Sequence, residues 1–558
     1  MSSSTGERRA PVEARGGKVT SSIETPHTLA AVPTGAAALP RPPVATPESL
    51  QRLARRVALA GPTRDVTTSY APFTGEALGT VPKCTAEDVA EAFRRSREAQ
   101  KSWAARSVRD RAKVFLRYHD LVLERQRDLL DLIQIENGKA RTHAFEEVAD
   151  TAMTARYYGH SAPAHLKTHR RQGALPGLTH TLEHHHPRGA VGIIAPWNYP
   201  LSLAITDAIA ALLAGNGVVI KPDSQTVFTA LYGVELLVEA GLPDGLFQVV
   251  TGPGREIGTP LIEHADYVCF TGSTATGRVV ARQAGERLIG CSLELGGKNP
   301  MLVLGDADIE RTIRGAIRAC FSTAGQLCIS IERMLVHESI YDDFTRRFAE
   351  RVSAMRLSPA FDFSADMGSL VSRQQLETVT THVDDAVGQG ARVLAGGQAR
   401  PDIGPYFYEP TVLADVQPGM TLCAEETFGP VVSVYPFSSE DEAVERANAT
   451  SYGLNASIWS KDTRRARRLG SRIQAGTVNI NEGYGAAWAS LDAPMGGFKD
   501  SGLGRRHGRE GIVKYTEAQT VATQRLLGFD APFGLGNEAY AKFLTTSLRL
   551  MRRNPFVK

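Results

Sequence analysis

At 558 residues the chain is too long for one ordinary hydrophobic core, so two or three domains are expected. Hydrophobic residues at 42% and charged residues at 22% describe a soluble globular protein, and 63 basic residues nearly cancel 60 acidic ones to leave a formal charge of +3. With no basic stripe interleaved with aromatics and no apolar run near the roughly 20 residues of a bilayer span, neither a nucleic-acid partner nor stable membrane insertion is expected.

Residues 1–46 are rich in Ser, Pro, Ala, Gly and Thr and read as a disordered tail. Arg8, Arg9 and Arg15 give a basic start, but no apolar stretch follows as a secretory signal requires; a transit peptide is the alternative on charge alone. Helical periodicity begins near Leu50. Thr85-Ala86-Glu87-Asp88 resembles a capping box opening a helix over Val89–Trp103. One long amphipathic stretch covers Val108–Asn137, with Gly138 as its stop, and another covers Ala144–Tyr158.

From Arg188 short apolar strands alternate with helices. Strands are predicted at Ala190–Ala195, Val218–Ile220, Phe247–Val250, Tyr267–Phe270 and Leu288–Glu294, with helices through Leu213 and over Val227–Glu239, Glu256–His264 and Thr274–Ala284. This pattern means a parallel sheet covered on both faces, which binds ligands at the carboxyl ends of its strands. A second α/β segment runs from Lys298 to about Gly497, with strands at Met301–Leu304, Val431–Tyr435, Ala456–Trp459 and Thr477–Ile480. Leu178–Glu183 reads as an extended hairpin arm and Gln519–Arg525 as a further strand. Glu538–Arg553 forms an amphipathic helix carrying Lys542, Arg549, Arg552 and Arg553; packing on the protein's own surface is the expectation, and membrane-surface attachment the alternative.

The six cysteines, Cys84, Cys269, Cys291, Cys320, Cys328 and Cys423, include no Cys-x-x-Cys pair and are too sparse for a disulfide scaffold. Reduced thiols in a cytoplasmic protein are expected, four of them as buried small hydrophobes. His184-His185-His186 lacks metal-ligand spacing, so no metal is expected.

Two glycine clusters follow predicted strands: Gly252-Pro253-Gly254 with Gly258, and Thr271-Gly272-Ser273 with Gly277. Glycine at such turns lets a backbone approach a pyrophosphate at a helix N-terminus. The first cluster departs from the usual dinucleotide spacing. Lys221-Pro222-Asp223-Ser224 ends another strand; Lys221 can serve a ribose or phosphate, or can be a surface lysine before a strand-stopping proline. Pro196-Trp197-Asn198-Tyr199-Pro200 ends the first strand, and the Asn198 amide suits either a developing oxyanion or a helix cap. Cys328 in Gly325-Gln326-Leu327-Cys328 reads as a nucleophile on a tight turn or as a core cysteine. Glu294, followed by Gly296-Gly297, reads as a general base or a strand-end charge.

Together these residues resemble the aldehyde dehydrogenase superfamily. The resemblance rests on Phe270-Thr271-Gly272-Ser273, Leu293-Glu294-Leu295-Gly296-Gly297-Lys298, Gly325–Cys328, Glu426-Thr427-Phe428-Gly429-Pro430 and Pro494–Arg505, in order across residues 48–525. Within it, Lys221–Thr226 and Gly502-Leu503-Gly504-Arg505-Arg506-His507-Gly508 look most like bacterial NADP-type succinate-semialdehyde dehydrogenases.

The resemblance implies a Rossmann-type parallel-sheet cofactor domain at 47–165 and 187–296, an α/β catalytic domain at 297–500, a β-arm for oligomerisation at 166–186 and 515–527, and an extension at 528–558. It implies Cys328 as nucleophile, Glu294 as deacylating base, and Asn198 with the Cys328 amide as oxyanion hole. Trp197, Lys221, Ser224, Gly254, Gly258, Gly272, Ser273, Gly277, Glu426 and Phe428 would contact the cofactor. NADP is expected over NAD, because Ser224 replaces the glutamate that would repel a 2′-phosphate. Glu294 argues against coenzyme A as acyl acceptor.

The expected reaction is oxidation of succinic semialdehyde to succinate by a homodimer or homotetramer. Its alternatives are a general dehydrogenase of apolar or aromatic aldehydes and, more remotely, a non-catalytic protein on the same fold. Well-known succinate-semialdehyde dehydrogenases hold the substrate carboxylate with two arginines, and here those positions are Thr206 and Ser322. By position Tyr484, Trp488 and Ser490 lie near the substrate mouth.

Overall fold

Ordered chain begins before residue 47. In the computed structural model, which describes residues 41–62, 65–173, 179–525 and 530–553, a 3-10 turn Pro43–Ala45 precedes the helix Pro47–Ala54. Val44 and Ala45 are buried with Leu50 and Leu53 in the main apolar core, so the tail boundary at 46 is too late. The rest of the proposed tail, residues 1–40, lies outside the described residues.

The capping box forms as expected. Thr85 accepts from the Asp88 amide, the Asp88 carboxylate accepts from the Thr85 amide at 2.7 Å, and the helix runs Ala86–Ala104. The Val108–Asn137 stretch is not one helix. It breaks at Arg125 into Val108–Glu124 and Gln126–Asn137. The second piece is buried continuously from Leu129 to Asn137, so core packing on all sides sets its direction, and no glycine or proline marks the bend. Gly138 ends it at φ 82°, where an added Cβ would stand 2.3 Å from Ser369 Oγ. The third helix is longer than predicted, Arg141–His165.

The first sheet has the order Gly502–Leu503, Gly290–Glu294, Tyr267–Thr271, Ala190–Ile194, Gly217–Lys221, Phe247–Val249, parallel throughout except for the first strand. All five residues of Gly217–Lys221 are buried, as a strand covered on both faces requires. The second sheet has the order Arg392–Ala395, Thr411–Ala414, Val431–Phe437, Ile331–His337, Asn299–Val303, Asn455–Trp459, Thr477–Ile480, parallel except at its first edge, and builds separate apolar clusters. Only Leu295–Lys298 separate the last parallel strand of one sheet from a central strand of the other, so the carboxyl edge of the first runs into the amino edge of the second.

Thr516–Gln524 pairs antiparallel with Thr179–Pro187, which pairs with His169–Gln172 in a separate three-stranded sheet. The arm is therefore longer than Leu178–Glu183 and starts earlier than Gln519; residue 178 lies outside the described residues. The C-terminal helix, Asn537–Met551, buries only Tyr540 and leaves Phe543, Leu548 and Leu550 exposed. None of the described helices is long and apolar enough to cross a membrane.

Candidate active site

Cys328 follows a strained turn. The helix Ile309–Phe321 ends into Ser322–Gly325, where Thr323 (φ 54°), Ala324 (φ 54°) and Gly325 (φ 69°) are all left-handed. For the two non-glycine residues this conformation costs about 1–2 kcal/mol each. Surrounding bonds impose it. The Thr323 amide donates to His143 Nδ1 at 3.1 Å, Gln326 Nε2 donates to the Thr323 carbonyl at 3.0 Å, and Gln326 Oε1 accepts from the Val371 amide at 3.0 Å. Any Cβ at Gly325 would stand 2.0 Å from the Gly429 carbonyl, so the glycine is sterically required. Asn299 Nδ2 fixes the Cys328 carbonyl at 2.8 Å.

The turn presents the thiol to a narrow cavity that Asn198, Tyr199, Leu327, Tyr484, Trp488 and Arg506 also line. Tyr484 and Trp488 thus stand where their positions suggested. Ser490 does not; its hydroxyl donates to the Ala486 carbonyl at 2.7 Å. Asn198 donates one amide hydrogen to the Gln326 carbonyl at 3.1 Å and keeps a second N–H for a ligand oxygen. The segment around it is tied to the N-terminal helices. Asn137 Nδ2 donates to the Trp197 carbonyl at 2.9 Å, and Lys139 Nζ to the Asn198 carbonyl at 2.7 Å. Lys139 forms a fully buried pair with Glu147, whose carboxylate also accepts from the Leu201 and Ser202 amides. In sequence, Asn137-Gly138-Lys139 showed only a helix stop.

Glu294 is 8% exposed, and its Oε1 has no hydrogen-bond partner among the described residues. Burial pushes its carboxyl up to about 7, opposed by the charges of Arg506 and Lys514. Burial also pushes the Cys328 thiol up to about 12, and the neighbouring Glu426 and Glu294 carboxylates add to this. Near neutral pH the Cys328 thiol is therefore protonated, beside a carboxylate able to take a proton near pH 7.

The glycines after Glu294 serve Glu426. The Gly297 amide donates to Glu426 Oε1 at 2.7 Å, and a Cβ at Gly296 would stand 2.3 Å from Glu426 Oε2. Phe428, at φ 53°, meets Trp197 edge-to-face with centroids 5.5 Å apart. Sequence reasoning missed what holds this loop. Buried Glu332 accepts from the Thr427 and Phe428 amides at 3.0 Å and pairs with buried Lys298 at 2.5 Å. Glu332→Gln should lower the thermal unfolding midpoint by leaving Lys298 without its counter-charge, a loss of about 3–5 kcal/mol, and should raise the cofactor KM. Thermal unfolding and initial rates check both.

On the other side of the site, Lys221 is 5% exposed, donates to the Pro222 carbonyl at 3.2 Å and makes no ion pair among the described residues. Desolvation lowers its pKa. Ser224 Oγ lies half-buried, 3.5 Å from the Gly252 carbonyl, and Lys221 Cε lies 3.9 Å from where a Gly254 side chain would begin. A buried cation beside a serine hydroxyl and the start of the Gly254–His264 helix fits a phosphate-bearing cofactor. A Cβ at Gly258 would meet nothing within 4 Å, so that glycine answers no steric need. Ser273 caps the helix Thr274–Glu286 and is exposed beside Gly272, whereas Gly277 is buried against Leu295 Cδ2, 2.5 Å from a notional Cβ, and has a packing role.

All six cysteines are free; Cys84, Cys269 and Cys320 are buried, while Cys291 and Cys423 are only partly so, three buried rather than the expected four. Among the described residues no group of three or more His, Cys, Asp or Glu side chains is placed to hold a metal ion.

The profile of the aldehyde dehydrogenase family matches residues 60–521. The chain belongs to that family. A Mycolicibacterium smegmatis aldehyde dehydrogenase relative, provisionally named succinate-semialdehyde dehydrogenase, NADP(+), is 54% identical over 87% of this chain and 93% of its own length. A Mycobacterium tuberculosis relative with the same provisional name, numbered 2, is 53% identical over the same shares. Among solved aldehyde dehydrogenase structures, the NAD+ complex from Bacillus cereus superposes with a TM-score of 0.78 at 35% identity, covering 82% of this chain and 93% of that one.

Proposed function

We propose that this aldehyde dehydrogenase oxidises succinic semialdehyde to succinate, with NADP as hydride acceptor. The observation that carries the chemistry is the Cys328 thiol and the spare Asn198 N–H on one cavity, with the buried Glu294 carboxylate, one oxygen unpartnered among the described residues, near enough for its charge to act on the thiol. In this reading the Cys328 thiol gives its proton to Glu294, which passes it to solvent, as Sγ attacks the aldehyde carbon, and the carbonyl oxygen takes its negative charge beside Asn198 Nδ2 and the Cys328 amide. NADP held beside Cys328 would supply the hydride acceptor needed between the thiohemiacetal and the thioester. Glu294 then takes a proton from the water that attacks the thioester, the C–S bond breaks, and the thiol is restored. Trp197, Phe428, Glu426 and the Gly272–Ser273 turn would hold the cofactor in the first sheet's edge.

NADP is supported by the relatives' names and by buried Lys221, which makes no ion pair among the described residues, with Ser224 three residues on in the same turn. Ser224→Glu should reverse the preference toward NAD, changing the ratio of kcat/KM values by roughly tenfold or more, since a carboxylate would face the 2′-phosphate. Succinic semialdehyde is supported by the same names. The cavity's apolar walls, Leu203, Leu327, Ile329 and Met495, favour a second reading, a dehydrogenase of apolar aldehydes. Initial rates with succinic semialdehyde and with butanal, each with NADP and NAD, separate the two. A butanal kcat/KM higher by orders of magnitude removes the first reading.

We also propose self-association through the arm, because Thr516–Gln524 forms an edge of its sheet with no further strand beside it among the described residues. The six free thiols support a cytoplasmic location.

A further inference from the structure

Arg506 lies in the glycine-rich stretch that returns to pair Gly502–Leu503 with Leu293–Glu294, and this pairing carries it to the wall of the Cys328 cavity, where it is the one cation. Its Nη2 donates to Thr206 Oγ1 at 2.8 Å and lies 3.2 Å from Asp207 Oδ2. Nε and Nη1 make no hydrogen bond among the described residues. Asp207 also faces Lys514 at 3.4 Å, so two cations share one carboxylate. The opposing charges are Glu294 and Asp150, and Asp150 is engaged by the Ser202 hydroxyl.

His507 follows on the same wall. It is 5% exposed, its Nδ1 has no partner among the described residues, and it is held at φ 59°, a conformation that costs a non-glycine residue energy. A strained residue on a cavity wall with a buried nitrogen unpartnered among the described residues, beside a guanidinium with free donors, suits an oxyanion.

We propose that Arg506 and His507 form a carboxylate-binding end of the aldehyde pocket and select ω-carboxy aldehydes. Arg506 supplies Nε or Nη1 and His507 its Nδ1–H. The arginine thus stands against Thr206 from a different part of the chain. The assignment rests on the succinic-semialdehyde reading, and the test separates the two.

The ratio of kcat/KM for succinic semialdehyde to that for butanal is measured in the wild type, Arg506→Gln, Arg506→Lys and His507→Asn, with succinate as inhibitor of butanal oxidation in each. The ratio should fall roughly tenfold or more in Arg506→Gln, through KM, and less in Arg506→Lys and His507→Asn. Succinate inhibition should weaken in the same order. Equal losses for both aldehydes with a displaced pH profile would make Arg506 only a positioning residue for Glu294 and overturn the assignment. A wild type preferring butanal removes the substrate reading alone; succinate inhibition then decides, supporting the carboxylate site if Arg506→Gln weakens it and overturning the site if it does not.

Discussion

Cys328→Ala should lose aldehyde oxidation by roughly 10⁴-fold or more, with no first-turnover burst of NADPH, because no other group replaces the thiol as covalent carrier. The fold should survive. Cys328 sits half-buried at a cavity wall, and the turn preceding it is held through Thr323, Gln326 and the Cys328 carbonyl, none of which uses the sulfur. The other five thiols offer no substitute, because none lines the cavity. An unchanged melting temperature with absent turnover is the expected pair of results. Residual turnover near the wild-type level would mean the carbonyl is attacked by something else.

Glu294→Gln should lower steady-state kcat by about 10²–10⁴-fold while leaving one rapid equivalent of NADPH per active site, since the amide cannot take a proton from water. In the wild type, deacylation should accelerate as pH rises through about 7, the value to which burial lifts the carboxyl. The sign follows from the role: the base works only when deprotonated, so raising its pKa moves the activity limb upward from the ordinary carboxylate range. Stopped-flow NADPH absorbance across pH separates the burst from the steady state. A limb near pH 4.5, or an equal loss of burst and steady state in Glu294→Gln, would place Glu294 outside the hydrolytic step.

What the sequence disclosed, and what it hid, follows from burial. The first sheet was legible because Val- and Ile-rich runs bounded by glycines have few other uses, and Thr85 and Gly138 are local signals that act locally. The strand Ile331–His337 escaped notice because Glu332 and Arg333 interrupt its apolar pattern. Both are buried, one holding Lys298 and the Thr427–Phe428 amides, the other donating to backbone carbonyls. The bend at Arg125 carries no turn residue and arises from packing. Asn198 was visible through its place at a strand end, Cys328 and Glu294 through their glycine neighbours, and the structure explains those glycines: Gly325 clears the Gly429 carbonyl, and Gly296 and Gly297 seat Glu426. Arg506 stood in the sequence only as part of the Gly502–Gly508 motif with no role of its own, because only the pairing of Gly502–Leu503 with Leu293–Glu294 reveals its place.

The central claim is an acyl group carried on Cys328 and released by Glu294. Its most direct test is the intact mass of the Glu294→Gln protein after mixing with NADP and succinic semialdehyde, followed by peptide mapping. The account predicts added mass of one succinyl group, on the peptide containing Cys328 and absent from Cys328→Ala. Unmodified Cys328 while NADPH is being formed, or the adduct on another residue, would contradict it.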